Sequence, residues 1–403
     1  MKSSRPGILL PAALLSAVIV PQLGLGLMTP TVAKLAEEFR VPHEAIQETF
    51  VVYMIGYALS VVLAGILADR VGARRVQISG LLICAAGCLL AALSDSFYLF
   101  AVARFMQALG GCVGTVTTRL IVKSDYPESK RLRILTTLAS AIALTPCIAP
   151  LLGGMLLPSL GWRWMMGGVG IFNLAALVLF WQVDTSPGAS DSTGRSIIAV
   201  YAANFKNADY LAYAAGISLV WMSYFVFLSC STYALQTELG MSSLGYGAVI
   251  SLCAVGYVIG STLARALSAR WALNEILLLG SRVGMAGCML LGILLSVFGS
   301  VLPALLIPMV FILLSVGMVI PATQAGLLKS VSRDIGISSG QFFFFQMAAG
   351  AGYGLLVSSF SELGVRGLAL FIAIPMVVLF VFLNMSRALS KSPDEQLKAV
   401  SRT

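Results

Sequence analysis

Acidic residues are scarce in this sequence, and none lies deep within an apolar run. Only 17 of 403 residues are Asp or Glu, and histidine occurs once, at His43 in a polar loop. Metal centres and membrane-enzyme active sites are built from convergent His, Asp, Glu and Cys. With one histidine and no buried acid, neither an enzyme nor a metal site is expected, and no cofactor is implied. The seven cysteines (Cys84, Cys88, Cys112, Cys147, Cys230, Cys253 and Cys288) all fall in apolar runs and form no CxxC pair. They read as small packing residues. Charge of either sign is thin, at 11% of the chain, against roughly 25% in a soluble domain. The net charge of +9 comes without any basic run interleaved with aromatics, so nucleic acid is not an expected partner.

What is abundant is apolar sequence. Hydrophobic residues make up 58% of the chain, and mean hydropathy is +0.93. A bilayer core takes about 20 apolar residues per crossing helix. Runs of that length occupy 8–29, 47–68, 76–94, 98–122, 133–157, 163–183, 211–233, 244–266, 275–297, 301–324, 338–360 and 364–386. Helices satisfy their own backbone in lipid, so an all-α integral membrane protein with twelve transmembrane helices is expected. The first run continues past Pro21 to Met28 without a small-residue cleavage site and reads as a membrane helix. Of the 26 Lys and Arg residues, Lys34, Arg40, Arg163 and Arg366 fall in one set of loops. Arg104, Arg119 and Arg282 lie inside apolar runs, and all the others fall in the opposite set of loops or at the termini. This asymmetry puts both termini in the cytoplasm.

The chain divides in the middle. The polar stretch 184–210, with SPGASDSTGR, reads as a cytoplasmic linker between a six-helix bundle at 1–183 and another at 211–403, followed by a short cytoplasmic tail. The bundles share a pattern. Gly56, Tyr57, Leu63, Ala64, Leu67 and Arg70 recur without a gap as Gly256, Tyr257, Leu263, Ala264, Leu267 and Arg270. Parallel six-helix repeats place a binding site between them, near the middle of the bilayer.

Three motifs point to mechanism. The turn after the second run reads Gly65-Ile-Leu-Ala-Asp69-Arg70-Val-Gly72-Ala-Arg74-Arg75. Its glycines allow a tight turn, and Asp69 can accept from a helix N-terminus or an arginine, as a latch between the bundles. The fifth run carries Ala149-Pro150-Leu-Leu-Gly153-Gly154. Its proline bends a helix and its glycines admit a neighbour. The fourth run carries Arg104-Phe-Met-Gln107-Ala-Leu-Gly110-Gly111, with Arg119 fifteen residues further on. In one straight helix Arg104, Thr115 and Arg119 would share a stripe. A mid-membrane arginine is costly and should face a cavity or a partner.

These motifs resemble, in order, the GxLaDrxGrkr loop, the GPxxGG helix and the RxxqGxg helix of drug:proton antiporters of the major facilitator superfamily. Over nearly its whole length the chain is similar to the Bcr/CflA branch. The resemblance implies a major facilitator fold, a monomer, and export by alternating access across the bacterial inner membrane with a proton as coupling ion. It assigns gating to Gly65, Asp69, Arg70, Gly72, Arg74, Pro150, Gly153 and Gly154. It also implies that the first, fourth, seventh and tenth helices line the cavity. Gln22, Arg104, Arg119, Trp221, Tyr224 and Gln324 are then the expected substrate contacts. The chain departs from the branch in one respect: the first run, Gly24-Leu-Gly-Leu-Met28, holds no carboxylate. A cavity with arginine and no acid suits a neutral or anionic substrate, such as a drug, a metabolite or a carboxylate siderophore. Import of a metabolite or metal-siderophore complex is the alternative, and the fifth-run motif argues against it.

Overall fold

The computed structural model describes residues 9–183, 196–331, 334–358, 360 and 364–390. Among these the chain is helical throughout. Helix α1 (Leu9–Gly26) passes through a short turn at Thr29–Thr31 into α2 (Val32–Phe39). Then come α3 (His43–Val71), α4 (Ala73–Ala92), α5 (Phe97–Gly111) and α6 (Gly114–Asp125), followed by α7 (Glu128–Gln182). The second half holds α8 (Ile197–Phe205), α9 (Ala208–Thr232) and a π-helical turn (Tyr233–Glu238). It continues through α10 (Ser243–Leu267), α11 (Leu273–Phe298), α12 (Leu302–Ser330), α13 (Ile335–Ser358) and α14 (Gly364–Ser390).

Ten stretches of the described chain are long and apolar enough to cross a bilayer. One of them, within α7, is two crossings. Gly161 has φ +75° there, a conformation that glycine adopts without a Cβ clash. The helix therefore folds back on itself into two arms. The fold-back lies at Gly161, beyond Pro146, Pro150 and Pro158, which sit within the first arm. The remaining crossing is α13, whose Gln341, Gln346 and serines lower its hydropathy. The linker expected at 184–210 is not all polar coil. It contains α8, whose Asn204 donates to Ser338 Oγ (2.9 Å) and Gln341 Oε1 (2.8 Å) of α13.

The two halves pack mainly through α3 against α13 and through α7 against α10. The internal repeat is visible as geometry. Gly56 of α3 admits the backbone of α5, and Gly256 of α10 admits the backbone of α12. Arg40 and Gly240, two hundred positions apart, both turn the chain with left-handed dihedrals (φ 54° and 64°). Glu38 accepts from Trp162 Nε1 (2.6 Å) and pairs with Arg163 at the start of the second α7 arm. Its repeat partner Glu238 accepts from Val365 N (2.6 Å) at the start of α14.

Candidate functional site between the halves

The bundle has one end at Gly72 and the other at Thr29, and the halves touch at both. At the Thr29 end, Thr232 Oγ1 donates to Thr29 O (3.2 Å) and Gln236 Nε2 to Pro30 O (3.2 Å). Gln236 belongs to the π turn after α9; such turns recur at functional positions. Beside it α7 meets α10. A Cβ at Gly154 would lie 2.9 Å from Leu244 Cα, and one at Gly247 would lie 3.0 Å from Pro150 C. Gly153, the neighbour in the motif, faces the other way, where a Cβ would lie 2.5 Å from Leu27 O. The expected gating set Pro150, Gly153 and Gly154 thus forms a three-way packing point for α1, α7 and α10. His43 is not in a loop. It opens α3, and its ring meets Tyr233 edge-on across the halves (6.3 Å).

At the Gly72 end, Gly72 itself has φ +91° and turns α3 into α4. Arg74 donates to Phe180 O (3.1 Å) and Trp181 O (2.8 Å), carbonyls at the end of α7. These bonds suit a cation at a helix C-terminus. They tie the loop to its own half rather than to the other. Gly65 reaches across, lying against the backbone of Gly336 at the start of α13. Arg70 is exposed. The side chain of Asp69 lies outside the described residues. Arg265 of α10 also crosses, donating to Ser140 Oγ of α7 (3.3 Å).

Between the two ends lies a polar and aromatic belt. Tyr57 of α3 and Thr115 of α6 share a hydrogen bond of 2.7 Å. One turn on, Arg119 spans the seam. It donates to Thr115 O (3.2 Å) and reaches Gln324 Oε1 of α12 at 3.5 Å, with its guanidinium 4.7 Å from the centre of the Phe343 ring of α13. A cation over a ring face is worth roughly 0.5–2 kcal/mol. On α9, Trp221 and Tyr224 pack edge to face (5.5 Å), and Tyr224 lies nearly parallel to Tyr257 of α10 (6.3 Å, 14°). Cys147 of α7 is within electrostatic range of both tyrosines.

Of the expected substrate contacts, the structure brings Arg119 and Gln324 together, and Trp221 and Tyr224 together. Gln22 is half-buried on α1 and bonds to none of them. Arg104 lies elsewhere, because α5 and α6 are separate helices with a break at Cys112–Val113. Its Nη1 donates to Gly24 O and Gln107 Oε1, both at 2.8 Å, and its guanidinium sits 4.5 Å from the Tyr53 ring centre. Gln107 passes the linkage on to Cys88 Sγ (3.3 Å) and Met166 Sδ (3.2 Å). Arg104, 1% exposed, therefore binds α1, α3, α4, α5 and α7 of one half into a unit. The belt residues missed at the sequence level are Tyr57, Tyr257, Phe343 and Gln346. The first two are partners in the internal repeat, which was the available signal. A separate cleft of about 500 Å³ opens at the rim of the Thr29 end, lined by Glu38, Trp162, Arg163 and Ser243 among others, away from this belt.

Two solved transporters share this architecture. A bacterial homologue of the human lysosomal transporter Spinster aligns with a TM-score of 0.69 at 17% identity, over 96% of both chains. A D-xylose-proton symporter aligns with a TM-score of 0.71 at 15% identity, over 92% of this chain and 97% of that one. Among relatives by sequence, the chloramphenicol resistance protein CraA of Acinetobacter baumannii is 26% identical over 362 residues, covering 89% of this chain and 85% of its own. Multidrug resistance protein D of Escherichia coli is 27% identical over 231 residues, covering 56% of this chain and 58% of its own. The family model of the Major Facilitator Superfamily matches residues 14–354. That match spans most of the chain, so the protein belongs to the Major Facilitator Superfamily and is a transporter rather than an enzyme.

Proposed function

We propose that this transporter exports a neutral or anionic small molecule from a bacterial cell by alternating access, with a proton as the coupling ion. The Gly72 end faces the cytoplasm in this reading, as the distribution of Lys and Arg implies, and the protein works as a monomer in the inner membrane. Export is carried by one observation: relatives that match 85% and 70% of their own length are chloramphenicol resistance proteins. The helix-packing point at Pro150, Gly153 and Gly154 supports the same direction.

The chemistry of the belt supports the substrate class. Its cation, Arg119, faces an amide oxygen and a phenyl ring. A guanidinium at that place disfavours organic cations by like charge and desolvation. It leaves neutral aromatic drugs, and acidic metabolites or carboxylate siderophores, as the classes to test. Arg119, Trp221, Tyr224 and Gln324 then contact substrate, while Arg104 holds its half rigid. The turn at Gly65, Asp69, Arg70, Gly72 and Arg74 sets the cytoplasmic gate, with Gly65 in contact with α13.

The experiment is transport into proteoliposomes under an imposed pH gradient, comparing chloramphenicol with ethidium. Gradient-driven movement of chloramphenicol without ethidium supports the reading. Strong ethidium transport, or chloramphenicol movement indifferent to the gradient, overturns the substrate class or the coupling respectively. An Arg119→Gln variant should lose preference against ethidium.

A further inference from the structure

Among the described residues of the second half, four buried side-chain atoms have no hydrogen-bond partner: Trp221 Nε1, Ser251 Oγ, Ser315 Oγ and Gln346 Oε1. Two of them lie on facing helices. They are Trp221 Nε1 on α9 and Gln346 Oε1 on α13, both sealed from solvent. Their side chains are 7% and 3% exposed. The two are neighbours. A Cβ at Gly350 would lie 2.7 Å from Trp221 Nε1, and Gly350 sits one turn beyond Gln346 on the same face of α13. The indole N–H and the Gln346 amide therefore lie on adjoining turns of one helix face, beside the Tyr224–Tyr257 ring pair.

Such a pair is expensive for a merely structural element. A buried donor or acceptor left unmade costs its desolvation, and an apolar side chain of the same shape would avoid that cost. On the same helices Ser223 Oγ donates to Ile372 O (2.8 Å), and Tyr353 Oη to Phe371 O (2.8 Å). Trp221 Nε1 and Gln346 Oε1 are a donor and an amide on neighbouring turns, so a single ligand group can complete both.

Resting on the export reading above, we infer that Trp221 and Gln346 form a recognition pair for a neutral carboxamide on an aromatic substrate. An indole N–H only donates, so it requires a ligand acceptor such as a carbonyl oxygen. The Gln346 amide can turn either its oxygen or its nitrogen to the ligand. A secondary carboxamide supplies both a carbonyl oxygen for the indole and an N–H for the glutamine. An ammonium group donates only and offers Trp221 no acceptor. Neither the indole nor the amide carries a charge to balance a carboxylate, so an acidic group would have to reach Arg119 instead. The parallel tyrosines give the substrate ring its wall.

The test is equilibrium binding to the purified protein in nanodiscs. The probes are chloramphenicol, a nitrophenyl secondary amide, its deacylated free amine, and 4-nitrobenzyl alcohol, which has the ring without the amide. Gln346→Met and Trp221→Phe should each weaken chloramphenicol about five- to tenfold, the worth of one neutral hydrogen bond. Neither should change binding of the alcohol or the amine. The ligand-free melting temperature of Gln346→Met should stay level or rise, because an unmade bond is removed. Unchanged chloramphenicol affinity in both variants overturns the inference and leaves the export reading intact. So does an equal loss for the alcohol, or a melting temperature that falls in step with affinity. A wild-type protein that binds none of the probes also overturns the inference.

Discussion

Adding one methyl group at Gly154 should force the transporter open at its Thr29 end. In the structure α7 and α10 approach there so closely that a Cβ on residue 154 would sit 2.9 Å from Leu244 Cα and 3.0 Å from Ser243 C. Carbon atoms in comfortable contact stand about 3.5–4.0 Å apart. Both obstacles are backbone, so neither can swing aside, and α10 must retreat by about 0.5–1 Å. A gap of that size forfeits a quarter to a half of each neighbouring contact's attraction, and overpacking of this kind costs about 1–3 kcal/mol. The contact joins the two halves, so the cost falls on arrangements closed at this end and is absent when they part. A penalty of that size shifts the equilibrium about 5- to 150-fold toward the open end. Gly167→Ala, in the second arm of α7, is the matched control, because a Cβ there meets nothing within 4 Å. Spin labels at Tyr98 and Val297, both exposed at the Thr29 end, report the distance by pulsed electron resonance, with the half-exposed Cys147 replaced by serine. Gly154→Ala should add or enlarge a long-distance population. A distribution matching both wild type and Gly167→Ala would refute the reasoning.

Two further outcomes are expected. Arg104→Ala should lower the melting temperature of the purified protein markedly, because it strips partners from Gly24 O and Gln107 Oε1, each worth about 1–3 kcal/mol when left unsatisfied in the interior; Arg104→Lys, which lacks the planar fork, should recover only part of that loss by the same measurement. Cys147, half-buried beside Tyr224 and Tyr257, should react with a small maleimide faster than the six buried cysteines, and transported substrate should slow it, as mass spectrometry of the labelled peptides will show.

The number of crossings and the division into halves were legible in the sequence because both depend on long-range averages: apolar length, loop charge and a repeat offset of half the chain. Local breaks were less legible. The straight-helix stripe joining Arg104 to Arg119 assumed that angular position accumulates at a constant rate. The interruption at Cys112–Val113 resets it, so Arg104 turns into its own half while Arg119 turns out toward α12 and α13. Proline drew attention in the fifth run, yet the fold-back depends on Gly161, since a helix held by neighbours tolerates Pro150 while a positive φ ends it. The candidate site was half visible. Trp221 and Tyr224 stand out as amphipathic rings in an apolar run. Gln346 does not, because nothing in sequence distinguishes a glutamine that is satisfied from one that is not.

The modest hydropathy of α13 bears on how the protein is made. This helix falls short of the apolarity that the other crossings reach, and its inward face holds Ser338 and Gln341. Left alone in lipid it would strand those groups without partners. Its companions α3, α8 and α9 all precede it in the chain, and α8 and α9 carry Asn204 and Tyr210, which bond to Ser338 and Gln341. Biogenesis is thereby given an order: the ribosome delivers the receptor before the guest, and the last polar helix enters the membrane as a docking step onto a bundle already waiting for it.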